Sequence, residues 1–181
     1  MTGDRHAPEV ELGWAHLLGQ VDLGPLRPSP DGASEALERQ LISETAHRYA
    51  WAFDERRVDI LADLFTEDVA FSFSVRGDDP VDASGREEVM TMLQASMLPG
   101  LGTRHLLVNH VVERLTENAA ELFVYFVLLV TREPWLPVSS GFYRFFLRKI
   151  GSRWLAEKVV NGLDVAFDTG QIRHHPDGTS S

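Results

Sequence analysis

The sequence predicts an α+β domain in which three helices pack on a sheet of mainly antiparallel strands. Three observations carry that reading. Apolar residues recur about every 3.6 positions over residues 34–53, the period of a helix with one buried stripe. From residue 69 the period changes to two, as in a strand whose successive side chains face opposite ways. The last four strand-like runs are separated only by TEN, EPWLP and GS, short enough to join antiparallel neighbours as a meander.

The elements follow in order. Residues 1–33 form an N-terminal arm and linker. Val10, Trp14, Leu17, Leu18 and Val21 fall at near-helical spacing, and the prolines of LGPLRPSPDGAS then break any regular element. Such an arm serves as a lid, as a clamp on a second subunit, or as a loosely held tail. The domain proper spans residues 34–168, and the polar stretch 169–181 reads as a frayed tail. Ser34 is placed to cap the first helix, whose stripe is Leu37, Leu41, Ile42, Thr45, Ala46, Tyr49, Ala52 and Phe53. Trp51 falls opposite that stripe and suggests a second contact surface. A short helix over 58–65 stops at TEDV. A strand over 69–75 puts Val69, Phe71, Phe73 and Val75 on one face. Gly85 precedes a third helix over 86–98, closed by Pro99 and Gly100. Strands over 103–115, 119–132, 138–150 and 153–165 complete the domain.

In the strand around Leu122 both alternating sets are apolar. Leu122, Val124, Phe126, Leu128 and Val130 form one, and Phe123, Tyr125, Val127 and Leu129 the other. A strand that is apolar on both faces needs cover on both. Helices supply one side, and a second copy of the chain is expected on the other, a homodimer through the sheet face.

Composition bounds the function. A chain of 181 residues holds one domain plus an extension. A formal net charge of −10 argues against nucleic-acid partners and anionic membrane surfaces, because phosphates are repelled. The absence of cysteine excludes thiol nucleophiles, disulfides, iron–sulfur centres and cysteine-ligated zinc. The N-terminal residues lack the basic patch and apolar stretch of a secretory signal, and no apolar run is long enough for a spanning helix. A cytoplasmic protein without a membrane segment is the expectation.

The run TRHLLVNHVVE is the one stretch that looks built for chemistry. Regular alternation places His105, Leu107, Asn109 and Val111 on one face, with His110 on the other, where a subunit interface is expected. An imidazole beside an amide suits general acid/base work, since histidine ordinarily titrates near ~6.5. The same pattern also describes a core histidine satisfied by its neighbours. On a helical wheel Asp54 lies off the apolar stripe, so spacing alone leaves it in solvent. Tyr125 and Tyr143 read either as hydrogen-bond donors or as core aromatics with wet hydroxyls. Trp135, between Pro134 and Pro137, lines a pocket mouth or braces a turn, and Asn161 caps a ladder end. No phosphate-binding glycine loop, nucleophile elbow or metal-ligand spacing occurs, so neither a cofactor nor a metal is expected.

The stretches RYAWAFDERRVDILADLFTEDVAF, GREEVMTML, TRHLLVNHVVE and GFYRFFLRKIGSRWLAEKVV, covering most of residues 40–161, resemble the SnoaL-like branch of the NTF2-like superfamily, including polyketide cyclases and scytalone dehydratase-like proteins. The resemblance implies a cone in which three helices pack on a strongly curved mixed or antiparallel sheet around a pocket. It turns Asp54 inward, as the aspartate closing the first helix, and makes His105 the pocket histidine. Phe53 stands where those dehydratases carry a tyrosine, and Phe71 and Phe73 where a second would hold water.

The activity so implied is a cofactor-independent cyclase, dehydratase or isomerase acting on a small, apolar, polyketide-like or polycyclic substrate, as in antibiotic biosynthesis. His105 is the acid/base, Asp54 its orienter, and Asn109, Tyr125 and Tyr143 the polar guides. Tyr49, Phe53, Phe71, Phe73, Leu107 and Trp135 line the substrate cavity. A pericyclic closure in which the pocket only folds the substrate is a variant. The alternative is a non-catalytic binding or assembly module, as in the dioxygenase β-subunits that share this fold.

Overall fold

A computed structural model describes residues 32–97, 102–130 and 136–166. The arm, residues 1–31, the C-terminal tail and Trp135 lie outside the described residues, as do Pro99 and Gly100. Helix α1 (Gly32–Asp54) leads into the short helix α2 (Val58–Asp63) and strand β1 (Phe65–Val75). A four-residue strand β2 (Val81–Ser84), helix α3 (Arg86–Ser96) and strands β3 (Thr103–Leu115), β4 (Ala119–Val130), β5 (Leu136–Ile150) and β6 (Arg153–Leu163) follow. The six strands form one mixed sheet in the order β2-β1-β6-β5-β4-β3. The meander β3 to β6 is antiparallel as expected, while β1 runs parallel to β6 and antiparallel to β2. Among the described residues no helix is long and apolar enough to cross a membrane.

Several boundaries differ from the sequence reading. α1 starts at Gly32, so Ser34 lies inside the helix and is not its cap. Leu37 and Leu41 are exposed, and the buried stripe begins at Ile42, continuing through Thr45, Ala46, Tyr49 and Ala52. Trp51 is exposed, as its position opposite the stripe implies. α2 ends at Asp63 because Phe65 already pairs with β6. β2 was not expected, since VDAS is too short for alternation to register.

The core lies between α1, α2, α3 and one face of the sheet. Ile42, Leu61, Phe65, Val69, Val89, Leu122, Phe126, Phe145 and Leu147 are essentially inaccessible to solvent, and burying each contributes about 1.5–3 kcal/mol. Pairing slips at Phe65/Ala70, twice along β3 and β4, at Leu128/Leu129 and at Phe146/Leu147. Each such bulge bends a strand and increases local twist, curling the helix-bearing face into a hollow. Where β5 and β6 run side by side, a Cβ added to Gly141 would overlap the Gly162 carbonyl oxygen and press on the Phe126 ring.

The opposite face of β4 is only partly covered. Phe123 is buried there because the Arg144 guanidinium lies 5.2 Å from its ring centroid and 4.4 Å from that of Phe146, tethered to Glu121 at 2.8 Å. That intrachain cover accounts for part of the second apolar set without another subunit. Leu106, Val108 and Tyr125, at 48%, 44% and 50% accessibility, remain an exposed cluster.

Candidate active site

The hollow is a cavity of about 350 Å³ between α1, α3 and the concave sheet face. Its walls are Tyr49, Phe53 and Arg56 from the end of α1 and the turn after it, Phe71 and Phe73 from β1, and Met92, Leu93 and Ser96 from α3. Thr103 and His105 from β3, Phe126 and Leu128 from β4, Tyr143 from β5, and Asn161 and Leu163 from β6 complete it, with Val81 and Met97 at the margin. A hollow of this size and apolar character suits a bicyclic or tricyclic organic molecule.

Asp54 and His105 meet at its edge. Asp54 Oδ1 lies 2.7 Å from His105 Nδ1 and accepts the Thr103 hydroxyl at 3.0 Å, while Oδ2 accepts the His105 backbone N–H at 2.7 Å. Both side chains are almost fully buried, at 5% and 7% accessibility. A carboxylate in the last turn of a helix opposes the partial negative charge of that terminus. Three donors from one strand offset this. They also fix the tautomer, because with Nδ1–H donating to Asp54, Nε2 is left as the basic nitrogen of a ring that borders the cavity.

The helix end that delivers Asp54 is a tight reversal. Arg57 N–H donates to Ala52 O at 2.8 Å and Arg56 N–H to Phe53 O at 3.1 Å, with Arg56 in the left-handed region at φ 55°. This is the paired 6→1 and 5→2 pattern that ends helices. It stops α1 directly after the residue that contacts β3.

Deeper in, Tyr49 and Tyr143 sit edge to face, with centroids 5.4 Å apart, and Tyr143 stacks against Phe126 at 4.8 Å. Tyr143 also faces Asn161 across the β5–β6 ladder, where the two are register partners, and both line the cavity. Burial pushes both phenols well above the ordinary tyrosine range, so both stay neutral donors.

The structure brings together Asp54, His105, Tyr143, Tyr49, Phe53, Phe71 and Phe73. It separates Asn109, Tyr125 and Leu107 from them. Asn109 has φ 56° and sits in the slip between Val108 and Val111, an exposed bulge residue whose amide does not line the cavity. Asparagine tolerates that left-handed conformation better than most residues, so its role there is in the backbone. The bulge also resets the alternation. His110 accordingly turns toward α1 and lies edge to face with His47 at 4.6 Å, rather than facing a subunit interface. Tyr125 projects from the outer face of β4, and Phe126 takes the inward place expected of it. Leu107 packs on the core without lining the cavity. Thr103 and Asn161 were not read as site residues. The signal for Asn161 was a polar side chain in phase with the inward residues of β6. Among the described residues no three or more of His, Asp and Glu gather to hold a metal ion.

The His47–His110 contact makes a pH prediction. Burial first, and then the neighbouring His47, hold the His110 pKa below the ordinary histidine value. Glu44, three residues before His47, and Arg48, the residue after it, pair with each other at 2.7 Å. The unfolded chain, with its higher pKa, therefore takes up the proton first, and stability present above about pH 6.5 is lost as the pH falls below it. Urea unfolding at pH 7.5 and 5.5 should show a smaller loss in His110→Gln than in the wild type; an equal loss in both would refute the assignment.

Residues 34–160 match the family described as the SnoaL-like domain. Among solved structures, a candidate scytalone dehydratase from Novosphingobium aromaticivorans DSM 12444 is similar at 18% identity and a TM-score of 0.62, over 81% of this chain and 97% of that one. The β subunit of a candidate aromatic-ring-hydroxylating dioxygenase from the same organism is similar at 15% identity and a TM-score of 0.64, over 74% and 93%. A protein from Catenulispora acidiphila, solved in complex with S-DNPA, is similar at 24% identity and a TM-score of 0.60, over 71% and 94%. Among curated proteins none matches. The family match spans the first helix, the mixed sheet and both members of the Asp54–His105 pair, and the chain belongs to the SnoaL-like domain family.

Proposed function

We propose that this protein is a cyclase, dehydratase or isomerase that moves a proton at carbon next to a carbonyl in a small polycyclic or polyketide-like substrate. The observation that carries the reading is the buried Asp54–His105 pair at the wall of an apolar cavity. Asp54 holds the imidazole, and Nε2 removes the proton from the carbon acid. The Tyr143 hydroxyl then stabilises the enolate oxygen as charge develops there. The enolate attacks a second carbonyl to close a ring, takes the proton back at another carbon, or expels a β-hydroxyl as water. In each course His105 returns the proton as a general acid. The dehydratase likeness is consistent with this chemistry, and the S-DNPA complex supports small-molecule binding on this scaffold.

The test follows exchange of α-hydrogens for deuterium in a panel of bicyclic ketones by proton NMR in D2O. Catalysed exchange that is lost in His105→Ala supports proton transfer. Ketone binding without exchange favours the pericyclic variant. Neither exchange nor binding favours the assembly module, to which the dioxygenase β-subunit likeness lends weight.

We further infer a homodimer through the outer sheet face, supported by the exposed Leu106, Val108 and Tyr125 on adjacent β3 and β4. A contiguous apolar patch on a sheet favours self-association about a two-fold axis. Sedimentation velocity should give a dimer for the wild type and a monomer for Tyr125→Arg. A wild-type monomer at micromolar concentration would overturn the inference.

A further inference from the structure

The wall of the cavity carries one permanent charge. Among the described residues that line it, Arg56 alone is a cation at every physiological pH. It is also exposed, so it stands where the hollow opens to water. The rest of the lining is mostly hydrocarbon.

The backbone singles out the same residue. Arg56 follows the last residue of the helix cap with φ 55°, in the left-handed region where a Cβ is crowded and where helices most often carry glycine. Glycine would make the same two closing hydrogen bonds without that crowding. An arginine held in this conformation costs stability that its side chain must justify, and outliers of this kind gather at ligand sites. The turn also fixes where that side chain starts, two residues after the carboxylate that holds His105.

Neighbouring charges leave the mouth open to an anion. Arg57 makes two bonds to Asp59, at 2.7 and 2.9 Å, and Arg104 pairs with Glu55 at 3.0 Å. Neither of these guanidiniums lines the cavity. Glu55 and Asp59 are thereby compensated, and an anion that reaches Arg56 meets neither as a bare charge. The chain as a whole, at net −10, repels anions, so holding one requires a local cation.

We propose that Arg56 is a specificity-determining residue that selects substrates carrying a carboxylate. The polycyclic body lies in the hollow, and the carboxylate stays at the opening and accepts from the guanidinium. A planar fork of donors matches the two oxygens of a carboxylate, and a single cation balances a single negative charge. Placement at the opening spares the carboxylate full desolvation. The inference rests on the reading of this hollow as a substrate cavity, and it needs no proton transfer.

The experiment measures Kd by calorimetry for three probes: α-tetralone, α-tetralone carrying a carboxylate on its aromatic ring, and the carboxamide of that acid. The wild type should bind the acid about tenfold more tightly than the carboxamide, the discrimination expected of one charged hydrogen-bonded contact. That preference should shrink as salt rises from about 0.05 M to about 0.5 M, because the pair is near water. Arg56→Gly suits the left-handed turn and should fold with a urea midpoint no lower than that of the wild type, yet bind the acid no better than the carboxamide. Arg56→Lys, which keeps the charge without the fork, should retain part of the preference. Equal binding of acid and carboxamide by the wild type, or a preference that survives in Arg56→Gly, would overturn the proposal. Preference for the acid with no α-exchange sinks proton transfer alone, and α-exchange with no preference sinks the carboxylate site alone. Binding of no probe at millimolar concentration sinks both.

Discussion

Substituting alanine for His105 is expected to lower turnover by about 100-fold or more while leaving substrate affinity within a few-fold, the usual contribution of a positioned general acid/base. Asp54→Asn is expected to cost a comparable factor. An amide presents a single oxygen to the three donors that converge here from Thr103 and His105, and it no longer holds Nδ1 as the protonated nitrogen. Because the two side chains act as one unit, the double variant should be scarcely slower than either single one. Steady-state kinetics on any substrate that shows α-exchange checks all three. Unchanged turnover in His105→Ala would remove proton transfer from the mechanism and leave a cavity that works by holding the substrate in a folded shape.

Gly141→Ala is expected to destabilise the fold by about 3 kcal/mol, the upper part of the range for overpacking, visible as a lower urea midpoint. The added methyl has no room: it meets backbone on one side, the Gly162 carbonyl, and a buried ring on the other, Phe126. Neither gives way without opening the β5–β6 ladder. The same displacement would pull Asn161 from Tyr143, so ligand binding should weaken even in the population that remains folded. A midpoint within experimental error of the wild type would mean that the two strands can separate at Gly141 more easily than their close approach implies.

How much of this was legible beforehand depends on which physical signal each residue gives. The meander was readable because its four strands are long and their connections short, and the first helix because its apolar period persists over several turns. His105 was readable because it precedes the bulge, where alternation still holds. Asn109 and His110 were misplaced by the slip just after it, since one extra residue inverts which face every later side chain occupies. Tyr125 was misplaced for another reason: when both alternating sets are apolar, periodicity cannot say which is inward, and Phe126 lies one position away. Asp54 depended on the family resemblance, because a helical wheel describes one helix and the partners that hold this carboxylate come from a strand about fifty residues on. Asn161 was read as capping a ladder end, and it is a ladder member paired with Tyr143 on one side and Phe73 on the other.

The Schellman-type ending of α1 carries a further consequence. Each residue of an α-helix advances the chain by 1.5 Å and rotates it by about 100°, so the helix works as a ruler whose last graduation is Asp54. Its zero is set by Ile42 and Ala46, which are pinned in the core. Adding or deleting one residue between those anchors and the terminus would swing the carboxylate away from the imidazole without disturbing a single core contact upstream. Length in that segment is thus constrained along with its buried positions, and relatives or designed variants that keep the chemistry should tolerate substitutions at its exposed positions, such as His47, Arg48 and Trp51, but no change in residue count.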